Sequence, residues 1–228
     1  MGNGLVAIGF VIIPILFNVF FALLAKSFDY PEILRQPTVQ VLQKFSSGQT
    51  GLILTWWAFM LTAVAFVPIS VSLPAVLNSS HQLLNAIVIS TGLIAGLVQF
   101  FGLSRWVFLV PFLAREARTA DLQKLSTIDL IFQSANRFLG VAVGEHLGYL
   151  FTGMWSISTG LLLLNGENSS QIIGVLGFTI GALLMICSLE FVGKYEEKGW
   201  NLAAVITPFA YIAWSLWLIS IGIHLLLV

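Results

Sequence analysis

The residues best suited to chemistry sit in one short string, Gly144-Glu145-His146-Leu147-Gly148-Tyr149. A carboxyl beside an imidazole can relay a proton, bind a cation or act as general acid and base, because histidine changes charge near neutral pH. The string lies within a long apolar run. A charge at mid-membrane costs at least about 2.5–3.5 kcal/mol, so an ionisable residue there points first to function. A structural reading stands beside this one. The apolar stretch from Leu147 to Leu164 nearly spans a bilayer by itself, which would leave Glu145 and His146 at an interface, capping a helix or bonding a neighbour. Arg137 precedes Glu145 by eight residues. On an α-helix that is about 12 Å along the axis, too far for a direct bond. Asn136, Arg137, Glu145, His146 and Tyr149 form the candidate polar, proton or ligand site, and none is assigned a catalytic role.

Other reactive residue types lead elsewhere. His81 and His224 fall toward the face opposite His146; a haem held between them would need a second signal, and none is present. There is no HExxH motif, and the single cysteine, Cys187, permits neither an internal disulfide nor a thiolate metal site. Asp-rich motifs of the kind that hold magnesium on diphosphates are also missing. No cofactor and no metal are therefore expected. Asn18, Gln99 and Ser215 lie within apolar runs and suit interhelical hydrogen bonds worth about a kilocalorie or less each. Asn78-Ser79-Ser80 and Asn168-Ser169-Ser170 match the glycosylation sequon but stand too close to apolar runs to be good acceptors.

The elements that position these residues follow from composition. The 228-residue chain is 58% hydrophobic and 9% charged, with a mean hydropathy of +0.96. Soluble domains carry about 25% charged residues. A core of this size cannot hide the apolar excess from water, so the matching solvent is lipid. Ten Lys and Arg balance ten Asp and Glu, which gives no pull toward nucleic acid. The start lacks a basic segment before its apolar run, so no cleavable signal is expected, and Val6 breaks the myristoylation pattern.

A membrane helix needs about 20 mainly apolar residues. Six runs qualify: 4–25, 51–77, 83–103, 138–164, 172–189 and 202–228. The expected fold is an all-α integral membrane protein, a single domain over 1–228 built as a six-helix transmembrane bundle with short interfacial or cytoplasmic helical segments. Pro14, Pro68, Pro74 and Pro208 fall inside runs and predict ordinary kinks. Every Lys and Arg lies in the first, third or fifth connection: Lys26, Arg35 and Lys44; Arg105, Arg115, Arg118, Lys124 and Arg137; Lys194 and Lys198. The positive-inside rule then puts those connections in the cytoplasm and both termini outside.

The longer connections carry helical patterns. Leu34, Thr38, Val41, Leu42 and Phe45 form an apolar stripe that predicts a short amphipathic helix in the headgroup layer. Ser126 and Asp129 resemble a helix start, predicting one helix from about Thr127 to Leu164, roughly 57 Å long. Trp56, Trp57, Trp106 and Trp200 fall where an inner aromatic belt belongs, and Trp214 and Trp217 lie deeper, as packing residues or pocket walls. Glycines four apart, at 92 and 96, at 140, 144 and 148, and at 177 and 181, predict close helix packing within the bundle. No long internal repeat is visible.

Several strings resemble a bacterial family of multi-pass membrane proteins catalogued only as a domain of unknown function. They are Asp29-Tyr30-Pro31, Ile33-Leu34-Arg35-Gln36-Pro37, Ala135-Asn136-Arg137-Phe138, Gly144 to Tyr149, and Trp214-Ser215-Leu216-Trp217-Leu218. The resemblance implies a bacterial plasma membrane and supplies no reaction. The first expectation for function is a non-enzymatic membrane component that binds a partner protein, a lipid or an apolar ligand, with the bilayer itself and a homo-oligomer among its partners. The alternatives are a small proton-coupled transporter using Glu145 and His146, and an intramembrane enzyme acting on a lipid or isoprenoid.

Overall fold

The computed structural model describes residues 2–165 and 170–227. Within them every regular element is helical and no strand occurs. The α-helices are α1 (Gly2–Phe28), α2 (Thr38–Ser47), α3 (Gln49–Val76), α4 (Gln82–Ala117), α5 (Leu122–Ala135), α6 (Gly148–Asn165), α7 (Gln171–Cys187) and α8 (Asn201–Leu227). A π-helical segment, Asn136–Leu147, joins α5 to α6 without a break. The sequon at Asn168 and Ser169 lies outside the described residues.

Five helical stretches are long and apolar enough to cross a bilayer: Asn3–Phe28, Gln49–Val76, Gln82–Ala117, Leu122–Leu164 and Asn201–Leu227. Helix α7 is apolar too but only 17 residues long. What these helices show outward identifies the solvent. On α1, Leu5, Ile8, Ile12, Ile15, Val19 and Leu23 recur every three or four residues and are all exposed. On α8, Leu202, Val205, Phe209, Ile212 and Leu216 do the same. Apolar stripes this long on an outer surface suit hydrocarbon and not water.

Inside, buried side chains form two apolar clusters. One gathers Phe10, Phe66, Ile69, Val88, Trp155, Trp214, Trp217 and Ile221 from α1, α3, α4, α6 and α8. The other gathers Leu24, Phe28, Val41, Phe45, Trp56, Trp106, Val110 and Phe132, where α2 and α5 close the end of the bundle. Helices α6 and α7 pair backbone to backbone. A Cβ on Gly153 would stand 2.7 Å from the Gly181 carbonyl oxygen, and one on Gly160 would stand 2.6 Å from that of Gly174. Polar groups tie other helices together. Asn18 donates to the Ser215 hydroxyl at 2.9 Å, Gln99 to Thr152 at 2.9 Å, and the Trp214 indole to Ser156 at 3.0 Å.

The helix that carries the third apolar run extends past Leu103: α4 continues to Ala117, about 54 Å, and carries the buried Arg105. Three local expectations are corrected. The long helix starts earlier than Thr127. Asp121, in extended conformation, accepts the Lys124 backbone N–H at 2.8 Å and caps α5, whereas Asp129 takes a hydrogen bond from the Thr38 hydroxyl. The apolar stripe of α2 faces protein, with Val41, Leu42 and Phe45 buried in the second cluster and Thr38 also accepting from Gln133 at 2.9 Å. Trp56 and Trp106 form no belt. Both are fully buried and stack on each other at 4.7 Å with their planes 10° apart.

Candidate functional site

A cavity of about 250 Å³ opens between the π-helical segment and the chain that leaves α7. One wall is Arg137, Val141, Ala142, Glu145, His146 and Tyr149; the other includes Cys187, Ser188, Glu190, Phe191 and Glu196. Most of the first wall belongs to the π-helical segment, whose i→i+5 hydrogen bonding adds about a residue to each turn. Such widened turns recur at functional sites, and this one runs for 12 residues.

Glycine and arginine hold the segment in place. Gly102 on α4 meets Gly144 so closely that a Cβ there would stand 2.6 Å from the Gly144 Cα. A turn away, the Arg105 side chain lies under Gly140, where a Cβ would fall 2.7 Å from Nη2. Arg105 is buried. Its Nε donates to Asn136 Oδ1 at 3.0 Å, and Nη1 donates to the Gly102 carbonyl. No carboxylate comes within ion-pair range of it among the described residues. It acts through space on Glu145 and Tyr30. Burial pushes the Tyr30 phenol up to about 12; the Glu145 carboxylate adds to the shift and Arg105 opposes it.

The structure thus brings together Arg137, Glu145, His146 and Tyr149, and turns Asn136 away to hold Arg105. Arg137 does not meet Glu145. It pairs with Glu196 at 2.8 Å, both side chains well exposed at the cavity mouth. His146 Nδ1 lies 2.7 Å from the Ser188 carbonyl oxygen. A carbonyl only accepts, so Nδ1 carries the proton and a neutral ring keeps a lone pair on Nε2. Glu145 has neither a hydrogen bond nor an ion pair among the described residues. Opposite, Glu190 follows the end of α7; burial pushes its carboxyl above the ordinary range and the Arg35 guanidinium works against that shift. No three His, Cys, Asp or Glu side chains converge as a metal-holding set among the described residues.

The family model described as a domain of unknown function, DUF4386, matches residues 5–227, nearly the whole chain. The chain belongs to the DUF4386 family. No curated protein and no solved structure matches it. For this DUF4386 protein the comparisons therefore add kinship and no chemistry.

Sequence reasoning about the DUF4386 chain missed Glu190, Glu196 and Arg105 as parts of the site. The two glutamates belong to a connection read only for its lysines, and they reach the cavity because Gly193 and Gly199, at φ of 65° and 76°, fold that connection back. One signal was available. Glu190 directly follows an apolar run, as Glu145 precedes one.

Proposed function

We propose that this protein crosses a bacterial plasma membrane six times and binds a small apolar ligand, without catalysis, in the cavity beside the π-helical segment. The observation that carries the reading is a cavity of about 250 Å³ whose exposed lining is mainly apolar, with Val141, Ala142, Phe191 and Val192 in its walls beside the polar side chains named above. Ligand sites have this build, mainly apolar with a few placed polar groups, and run from about 300 Å³ upward, so the occupant is small. Substituting Ala142→Trp fills the space. Native mass spectrometry from lipid nanodiscs is expected to find a co-purifying small molecule on the wild type and none on this variant. Equal occupancy of both would refute the site.

Six crossings take α7 as a full member of the bundle. Its backbone interlocks with α6 at Gly153, Gly160, Gly174 and Gly181, and 17 residues at about 1.5 Å each span roughly 25 Å, which a locally thinned bilayer accommodates. The charge pattern then orients the chain. Apart from the buried Arg105, the basic residues lie on the connections at one end, so that end faces the cytoplasm and both termini face out. A C-terminal reporter that fluoresces only in the cytosol is expected to stay dark; a bright fusion would reverse the topology or change the number of crossings.

A further inference from the structure

We infer that the ligand's apolar body ends in a cationic nitrogen, as that of a small alkylammonium does, held between Glu145 and Glu190 in the cavity. This rests on the ligand-binding reading above and goes beyond it by assigning the charge and hydrogen-bonding character of the ligand.

The argument comes from which donors are already engaged. Arg137, the one cation on the cavity wall, is neutralised by Glu196 at the mouth. Behind that pair stand two carboxylates, Glu145 and Glu190, with no ion pair and no hydrogen bond among the described residues. Burial works against ionisation of these carboxyls and a cation beside them works for it; once ionised, each only accepts. His146 uses its Nδ1 proton on the Ser188 carbonyl, which in the neutral ring leaves Nε2 as an acceptor. Ser188 in turn donates its hydroxyl proton to the Met185 carbonyl at 2.7 Å. Side-chain acceptors thus outnumber free donors on the cavity wall, and although Arg105 and Arg35 act through space on the two carboxylates, no cation pairs with either among the described residues. A ligand that donates several hydrogen bonds and brings a positive charge meets this lining; an anion is repelled, and an alcohol, with one donor and no charge, satisfies half of it. Tyr149 and Phe191 supply aromatic walls, which also favour a cationic nitrogen over a neutral one. The apolar residues Val141 and Val192 leave room for a short alkyl chain.

The test uses three isosteres, hexylammonium, hexanol and hexanoate, added to the full chain in lipid nanodiscs at neutral pH, with thermal unfolding as the readout. A ligand that binds only the folded state raises the midpoint in step with its affinity. Hexylammonium is expected to stabilise the wild type most and hexanoate least. Glu145→Gln and Glu190→Gln are each expected to weaken hexylammonium binding by at least about tenfold while leaving hexanol unchanged, since a hydrogen bond to a charged group is lost. The variants also separate binding from partition into lipid, which they leave the same. Glu190 lies on a connection outside the helices, so Glu190→Gln carries the test even if Glu145→Gln fails to fold, and Glu190→Lys is expected to move the preference toward hexanoate. Stabilisation by hexanol equal to that by hexylammonium would overturn the cationic ligand and leave the apolar site standing. No effect from any of the three on the wild type would sink both.

Discussion

Gly102→Ala is expected to destabilise the protein by about 1–3 kcal/mol, the usual cost of overpacking a tight contact, and Gly144→Ala by much less. The two glycines face each other, yet the substitutions are not equivalent. A Cβ on Gly102 would sit 2.6 Å from the Gly144 Cα, 3.0 Å from the Leu139 carbonyl oxygen and 3.1 Å from the Gly144 nitrogen, all of them backbone atoms. Helix α4 and the π-helical segment would have to move apart. A Cβ on Gly144 meets Leu139 oxygen at 3.2 Å and Gly102 Cα at 3.3 Å, which needs a shift of tenths of an ångström. Alanine also gains about 1 kcal/mol over glycine within a helix, enough to offset that smaller strain. Thermal unfolding in a mild detergent measures the order. If Gly144→Ala proved the more damaging, the contact geometry assigned here would be wrong. Gly102→Ala reaches function as well, because the segment it displaces carries Arg137, Glu145 and His146.

The helices were legible because apolar runs separated by polar turns have few other physical meanings. Their ends were less so. Hydropathy registers Arg105 as an exit from lipid; it cannot register that Asn136, from a helix 31 residues away, would accept its Nε–H inside the protein. The two tryptophans misread as a belt show the same limit, since a ring at the expected depth can face either lipid or another ring, and only the partner helix decides. Within the site, Glu145, His146 and Tyr149 were readable because polar groups in an apolar run are costly wherever they fall. The approach of Glu190 and Glu196 was not, because it depends on how the chain turns after α7. The π-helical register was equally hidden: i→i+5 bonding leaves no periodic mark in a stretch that contains Gly140 and Gly144 and packs on both sides.

Trp56→Ala is expected to cost about 3–5 kcal/mol, the range for removing a buried aromatic side chain, whereas Trp56→Phe should stay within about 1.5 kcal/mol of the wild type. Trp56 is fully buried and touches aromatic rings on several sides: Trp106 stacked at 4.7 Å, Tyr30 edge-on at 5.0 Å, Phe28 and Phe59 each at 6.1 Å. Truncation empties the centre of the cluster that joins α1, α2, α3, α4 and α5. Phenylalanine keeps most of the apolar bulk. It also removes an indole N–H that meets no acceptor among the described residues, and a buried unsatisfied donor costs about 1–3 kcal/mol, so the loss of volume is partly offset. Chemical denaturation of the two variants in parallel measures the difference; equal losses would show that filling the ring cluster does not carry the cost. The same truncation acts on the site. Tyr30 is held against Trp56, and its phenol stands at about 12 because of burial together with the Glu145 charge. Opening its wall to water weakens both causes, so in Trp56→Ala the phenol is expected to fall back toward its ordinary value near about 10, which ultraviolet absorbance titration detects as phenolate forming at lower pH.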